Sequence, residues 1–410
     1  MFDFDKWQEI FYSLRKNKLR TFLTGFSVAW GIFMLMLLLG SGNGLQNAVE
    51  YQFRDDAINS IFLYRGQTTK EHEGLQPGRR IRFTNEDYEM LKNTTPGLEY
   101  LSGRYYLPGE DKVAYNGDYG NYSIVTVHPD HQFIERTVPV KGRFLNRKDI
   151  AEFRKVACIG QKVQEALFKE EDPIGKYVKV NNVPFKIVGV FSDEGGEELL
   201  RTVYLPVSTA QRIYSGDNSL HTLLFTVSDV SATESVELEE TIRQRMAKKH
   251  HFAVDDVSAL HINNNIENYQ QTKEIFAAIQ LFIWIIGIGT LIAGIVGVSN
   301  IMIIVVKERT REIGIRKAIG APPSSIVALI LFESIFITAI AGYLGMMAGI
   351  GLLELVSALM PDSDFFRSPG VDLGTAISAT IVLVTSGAVA GFIPARRAAR
   401  IEPIVALRDD

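Results

Sequence analysis

The chain has 410 residues, 46% of them hydrophobic and 22% charged, with a formal charge of −4 at pH 7. That length allows more than one domain. No large basic region argues for a nucleic-acid partner, and a single cysteine, Cys158, excludes an internal disulfide.

Mean hydropathy is only +0.06, yet charge is strongly segregated. No Asp, Glu, Lys or Arg occurs in Thr21–Val49, Ile275–Val306, Ser334–Leu353 or Leu373–Ala395. A helix crosses the hydrocarbon core with about 20 apolar residues. The four runs therefore predict an α-helical membrane protein whose spans lie at 19–49, 275–306, 326–360 and 372–395.

Residues 1–18 are expected to form an interfacial amphipathic helix. Phe4, Trp7, Ile10, Phe11 and Leu14 recur at helical spacing, with Lys6, Glu9, Ser13 and Lys16 elsewhere on the wheel. The first span is too long for the apolar region of a signal peptide, and Ser41-Gly42-Asn43-Gly44 is a weak cleavage site.

All seven histidines and Cys158 fall between Glu50 and Glu274. Expected here are a strand at Ser60–Tyr64, a helix opened by Thr84 with Asp87 at capping-box spacing, and a strand near Leu101–Leu107. The order repeats with a strand at Thr222–Val227, a helix around Thr233–Lys249 and a strand at Phe252–Val257. Two such units predict one α+β layer built from 50–110 and 218–274. Residues 111–217 are richer in Gly, Pro and short β-type runs, among them Tyr177–Val180, Phe185–Phe191 and Thr202–Leu205. They read as a β-rich insertion, with Asp193–Glu198 as the tip of a hairpin joining the last two runs.

The spans carry small residues at four-residue intervals: Gly289, Ala293 and Gly297 in the second, Gly345 and Gly349 in the third. Such spacing lets helix backbones approach closely. Glu333 stands about 10 Å into the third span if that span starts near Ile326, at about 1.5 Å per residue. An acid there is either functional or paired with Lys317 or Arg316 at headgroup level. The connecting segment 307–325 is densely charged. Glu308, Arg309, Arg311, Glu312 and Arg316 offer i, i+3 and i, i+4 pairs on a helix. Gly314 and Gly320 interrupt it, and Ile313 and Ile315 interleave it. Protruding apolar and charged residues of this kind suit a groove on another protein.

Basic residues cluster before the first span (Lys6, Arg15, Lys16, Lys18, Arg20), between the second and third, and in the tail 396–410 (Arg396, Arg397, Arg400, Arg408). The third-to-fourth loop sets Asp362, Asp364 and Asp372 against Arg367. The positive-inside rule then puts both termini and 307–325 in the cytoplasm and Glu50–Glu274 outside.

Chemical motifs are sparse. The sequence contains no Gly-x-x-x-x-Gly-Lys-Ser/Thr, Gly-x-Ser-x-Gly or His-Glu-x-x-His. His128-Pro-Asp-His131 reads as a surface loop, because Pro129 prevents helical presentation to a metal. His250-His251 ends a basic helix, where the dipole favours cations. Asp193–Glu198 lacks the spacing of a calcium loop. No catalytic residue, metal site or bound cofactor is expected in this chain.

Val298–Ile350, VSNIMIIVVKERTREIGIRKAIGAPPSSIVALILFESIFITAIAGYLGMMAGI, closely resembles the FtsX-like and MacB-type permeases of ABC transporters. Gly391-Phe-Ile-Pro-Ala-Arg-Arg-Ala-Ala-Arg-Ile-Glu-Pro403, Lys18-Leu-Arg-Thr-Phe-Leu23, Gly42-Asn-Gly-Leu45, Asp172-Pro-Ile-Gly-Lys176 and Phe185-Lys-Ile-Val-Gly-Val190 extend the likeness along the chain. The resemblance implies a multi-pass protein of the bacterial inner membrane with a periplasmic domain of porter-like and sabre-like parts. It implies a homodimer or paired permeases, with a periplasmic adaptor and an outer-membrane channel as further partners. The 307–320 segment would contact an ABC ATPase through Glu308, Arg309, Arg311, Glu312 and Arg316, with Gly314, Lys317 and Gly320 in the same segment. Glu333 matches an acid of the family. Full-length MacB proteins carry an N-terminal ATPase domain, so a separate ATPase holding ATP and Mg is expected here. The implied mechanism is mechanotransmission for efflux; the alternatives are a lipoprotein-releasing permease or FtsX-like signalling to a cell-wall hydrolase.

Overall fold

The computed structural model describes residues 18–52, 57–192, 198–215, 217–359, 367–371 and 373–402. The amphipathic stretch Phe4–Leu14, most of the acidic segment 193–198 and the tail beyond 402 lie outside the described residues. The chain divides into two compact units, Met1–Val49 with Glu274–Asp410, and Glu50–Lys273.

Helix α1 (Lys18–Gln52) comes first along the chain. The Glu50–Lys273 unit begins with β1 (Ser60–Arg65), β2 (Phe83–Thr84), α2 (Asn85–Thr94) and β3 (Leu98–Tyr106). Next come β4 (Lys112–Tyr115), β5 (Asp118–Asn121), β6 (Ser123–Val127), α3 (His131–Ile134) and β7 (Val138–Gly142). They are followed by β8 (Val156–Gly160), β9 (Tyr177–Val180), β10 (Val183–Ser192) and β11 (Thr202–Pro206). β12 (Ser219–Leu220), β13 (Thr222–Val227), α4 (Ala232–His250) and β14 (Leu260–Asn264) close the unit.

The units β1-α2-β3 and β13-α4-β14 interleave in the order β14-β1-β13-β3, with every neighbouring pair antiparallel. Strand side chains alternate between faces. Ile61, Leu63, Leu101, Leu223, Phe225 and Leu260 therefore share one face, buried with Leu91 of α2 and Leu238, Ile242 and Met246 of α4. This is the expected α+β layer. The Thr84 N–H donates to the Asp87 carboxylate at 2.7 Å, and Ser231 and Glu234 exchange cap bonds of 2.8 and 3.3 Å at the start of α4.

The last strand is not Phe252–Val257 but Leu260–Asn264. The Asp256 carboxylate accepts the N–H groups of Thr69 and Lys70 at 2.7 and 3.1 Å, which holds the preceding residues in turns. Phe252 still anchors in the core while Val257 is exposed.

The insertion runs on from β3 through β6, β11, β8, β10, β9, β4 and β5, with β7 on β10. The expected hairpin between Phe185–Phe191 and Thr202–Leu205 does not form, because β8 lies between β10 and β11. All five residues of β8, Val-Ala-Cys-Ile-Gly, are buried. A strand apolar on both faces belongs at a sheet centre.

His131 is not in a surface loop but starts α3, and His128 lies half-buried in the short turn before it. His128 stacks on Tyr88 at 4.1 Å and its Nδ1 accepts the Gly103 N–H at 2.9 Å; burial pushes its pKa down to about 4. His131 is fully buried with Nε2 2.9 Å from Glu135. His250 does more than meet a dipole: its Nε2 lies 3.0 Å from buried Asp87, which also receives Lys249 Nζ at 2.7 Å. Burial pushes the Asp87 carboxyl up, but hydrogen bonds from His250, Lys249 and the Thr84 N–H outweigh it and leave the pKa lowered.

The other unit adds α5 (Asn265–Glu308), α6 (Thr310–Ala318), α7 (Pro323–Leu359) and α8 (Leu373–Ala399) to α1. Among the described residues, four helical stretches are long and apolar enough to cross a membrane: Gly25–Tyr51, Asn265–Glu308, Pro323–Leu359 and Gly374–Ala399. A Cβ on Gly345 would collide with the Ala29 carbonyl of α1, and one on Gly349 would lie 2.8 Å from Met36 Cβ. Gly342, Gly387 and Gly391 admit Leu383, Thr338 and Ser334 across the α7–α8 seam, where the Ser334 hydroxyl donates to Gly387 O at 3.0 Å.

In α5 the expected small-residue stripe is displaced. Gly289 and Ala293 are exposed, with open space around Gly289, and a Cβ on Gly297 would lie 3.3 Å from Ser27 Oγ. The buried stripe is Ile283, Gly287, Leu291, Gly294, Val298, Met302 and Val306, which follows the helical repeat of 3.6 residues per turn. At the far end of α1, Asn43 and Asn47 donate to Gly370 O and Ser368 O at 3.0 and 3.3 Å, and Gly44 O accepts the Arg367 N–H at 3.0 Å.

Asp87→Ala is expected to destabilise the Glu50–Lys273 unit by about 3 kcal/mol, because it leaves Lys249 and the α2 start without their acceptor. In the wild type that contribution is complete above the unfolded carboxyl pKa of about 3.9. It disappears as pH falls through the lower folded value. Thermal unfolding of the full-length chain between pH 7 and pH 3 measures both. Gly345→Val is expected to cost about 1–3 kcal/mol by overpacking α1 against α7. Gly351→Val, which meets open space within the chain, serves as the control.

Candidate coupling site at the connector helix

Between α5 and α7 the chain turns twice. Arg309 leaves helical geometry at φ −95 and ψ 10, ending α5 and starting α6. The Val305 carbonyl accepts its N–H at 3.1 Å, and its own carbonyl accepts Ile313 N–H at 3.0 Å. Gly320 ends the segment at φ +105, where the Arg316 carbonyl accepts the Ala321 N–H at 3.0 Å. A left-handed residue after a helix favours glycine. Gly314, by contrast, does not interrupt α6: it lies inside the helix and is buried beside Ile313.

The helical period divides the segment into two faces. Inward, Arg309 Nη1 reaches Glu333 at 3.1 Å and its Nε lies 3.3 Å from Glu312. Arg316 closes the chain of charges onto Glu312 at 2.8 Å. Glu333 is only 3% exposed, so a charged partner there carries weight. Val306, Ile313, Ile326 and Ile330 line the same cleft. Outward, Arg311, Ile315, Ala318 and Ile319 fall at i, i+4, i+7 and i+8 and are all exposed, which places them on one side of the helix. Ile319 is 83% exposed. Lys307 and Glu308 are exposed at the end of α5.

Glu333 is thus paired with Arg309, at 3.1 Å. Lys317 Nζ instead donates to Ala399 O and Ile401 O at 2.9 and 2.7 Å. Those carbonyls belong to the C-terminal end of α8, whose last acceptors lack helical partners and whose dipole favours a cation. A guanidinium suits the Glu333 site because its fork serves two carboxylates while staying charged. The Arg309–Glu333 and Lys317–α8 links were missed in the sequence because they join residues far apart along the chain. The Gly387 and Gly391 repeat carried a readable signal for the α7–α8 seam. Among the described residues no group of His, Cys, Asp and Glu is arranged to hold a metal.

Two family models cover the chain: MacB-like periplasmic core domain over residues 21–241 and FtsX-like permease C-terminal over residues 284–403. The chain is 29% identical over 402 residues to the macrolide export ATP-binding/permease protein MacB of Bdellovibrio bacteriovorus, covering 97% of this chain and 60% of that protein. It is 30% identical to the protein of the same name from Chlorobaculum tepidum, covering 98% and 60%. The chain therefore spans about 60% of the length of the curated relatives it matches. The crystal structure of the periplasmic region of MacB from Actinobacillus actinomycetemcomitans aligns with 54% of this chain and 95% of its own, at 19% identity and a TM-score of 0.44. The first model alone matches more than half of the residues, and the chain belongs to the MacB-like, FtsX-like family of ABC transporter permeases.

Proposed function

We propose that this chain is the permease of a mechanotransmission transporter, converting ATP hydrolysis on a partner into motion of its periplasmic domain for efflux. The observation that carries this reading is the outward face of α6. Arg311, Ile315 and Ile319 project from a charged connector whose other face is committed to internal ion pairs. Exposed isoleucines beside an arginine form the kind of anchor that fills a groove on another protein. The occupant of that face is a nucleotide-hydrolysing subunit holding ATP and Mg.

The distribution of Lys and Arg supports cytoplasmic termini and a cytoplasmic α6. A homodimer, working with a periplasmic adaptor and an outer-membrane channel, completes the assembly proposed. The relatives named for macrolide export favour efflux. Lipoprotein release and signalling to a cell-wall hydrolase would use the same α6 face and differ in what the periplasmic domain handles.

The test is co-purification of the tagged chain with its ATP-hydrolysing partner from native membranes. Ile315→Asp combined with Ile319→Asp is expected to weaken association at least 100-fold, the effect of losing about 3 kcal/mol at a hot spot. Association and coupled hydrolysis at wild-type levels in this variant would remove the docking face, and the proposal with it.

A further inference from the structure

The connector helix has two attachments that the docking face does not use, and both lead to the same pair of spans. At its start, Arg309 is bound to Glu333 of α7 at 3.1 Å, inside a cleft walled by Val306, Ile326 and Ile330. At its end, Lys317 is bound to Ala399 O and Ile401 O at the close of α8. The junction with α5 differs. There the chain leaves helical geometry at Arg309, and the Thr310 hydroxyl turns back onto Val306 O at 3.2 Å.

We infer that α6 is fastened to the α7–α8 pair and hinged from α5 at Arg309, so that a displacement of α6 is delivered to the third and fourth spans as one body. Only the source of the displacement rests on the docking reading given above; the fastening stands on this chain's own residues.

Three physical points support the route. First, separating Arg309 from Glu333 would break a charged hydrogen bond in a site almost closed to solvent, which is strongly unfavourable. Tilting at Arg309, by comparison, changes one residue already outside the helical basin. Second, α7 and α8 cannot shear easily. Thr338 and Ser334 insert where Gly387 and Gly391 leave room, and Ser334 donates to Gly387 O at 3.0 Å. Third, Lys317 holds the carbonyl end of α8 from beneath, so α6 grips both members of the pair. Arg309, Glu333 and Lys317 are accordingly positioning residues: they bind α7 and the end of α8 and set what the partner's push moves.

Amide hydrogen exchange of the full-length chain in lipid nanodiscs tests the inference without any ATPase. Glu333→Gln and, separately, Lys317→Met are expected to raise exchange across residues 310–318 at least tenfold while leaving residues 290–305 of α5 unchanged. The charge-exchanged pair Arg309→Glu with Glu333→Arg is expected to restore protection, which a merely structural role for either residue would not produce. Ile315→Asp, on the opposite face, should leave exchange at the wild-type level, so loss of docking and loss of fastening are read separately. Unchanged exchange in both single variants, or an equal rise in α5, overturns the inference. Should Glu333→Gln fail to fold, Lys317→Met at the less buried attachment decides alone.

Discussion

A carboxylate buried on a long apolar helix is the constraint around which this side of the protein is organised. Glu333 has almost no exposure to solvent, and a charge buried there is unfavourable unless it is paired. A cation from another segment meets it: Arg309 Nη1 lies 3.1 Å from its carboxylate. Once Arg309 is turned inward, helix geometry decides the rest. Glu312 and Arg316 lie three and seven residues on, on the same side, and join the pair into a chain of charges. Arg311, Ile315 and Ile319 must then face away. The exposed face of the connector is a consequence of the buried acid.

The spans themselves are held by a different logic. Lipid is as apolar as leucine, so burial of apolar surface does not drive helices together in a bilayer. Close approach does, and the glycines at 342, 345, 349, 387 and 391 each stand where a neighbour fills the space a Cβ would take. The C-terminal end of α1 and the segment before α8 are joined by amides: Asn43 and Asn47 of α1 hold the carbonyls of Gly370 and Ser368. Inside and outside the membrane, polar groups find partners before helices find positions.

Much of this was legible in the residues, and the reasons for what was not are specific. Span existence follows from charge-free runs, and the interleaved β-α-β units from alternation and capping boxes such as Thr84 with Asp87. Edges and partners were harder. Phe252–Val257 alternates like a strand, yet Asp256 is committed to the distant amides of Thr69 and Lys70, a long-range bond that no local pattern displays. The β10–β11 connection looks like a hairpin until β8, apolar throughout, claims the place between them. The α5 stripe at Gly289 and Ala293 has the spacing of a packing face, but Gly287, Leu291 and Gly294 have the same spacing. Periodicity identifies a face only up to rotation, and the neighbours choose which one is buried. Glu333 was recognisable as an acid needing a partner; that the partner is Arg309 follows from the turn at the end of α5, which a linear reading does not contain.

The outward face of the connector carries an energetic argument of its own. An exposed isoleucine leaves about 1.5–3 kcal/mol of burial free energy unrealised. Ile319 is 83% exposed and Ile315 43% exposed, while Ile313 on the same short helix is buried. Folding has therefore used one of the three isoleucines and left two available. Arg311 adds a guanidinium beside them that, unlike Arg309 and Arg316, is turned away from the internal chain of charges. A surface of this composition gains when another protein covers it. The inward face is braced by Glu333 and by the end of α8, so on the docking proposed above that gain would act on the spans rather than be lost in reorientation of a loose loop.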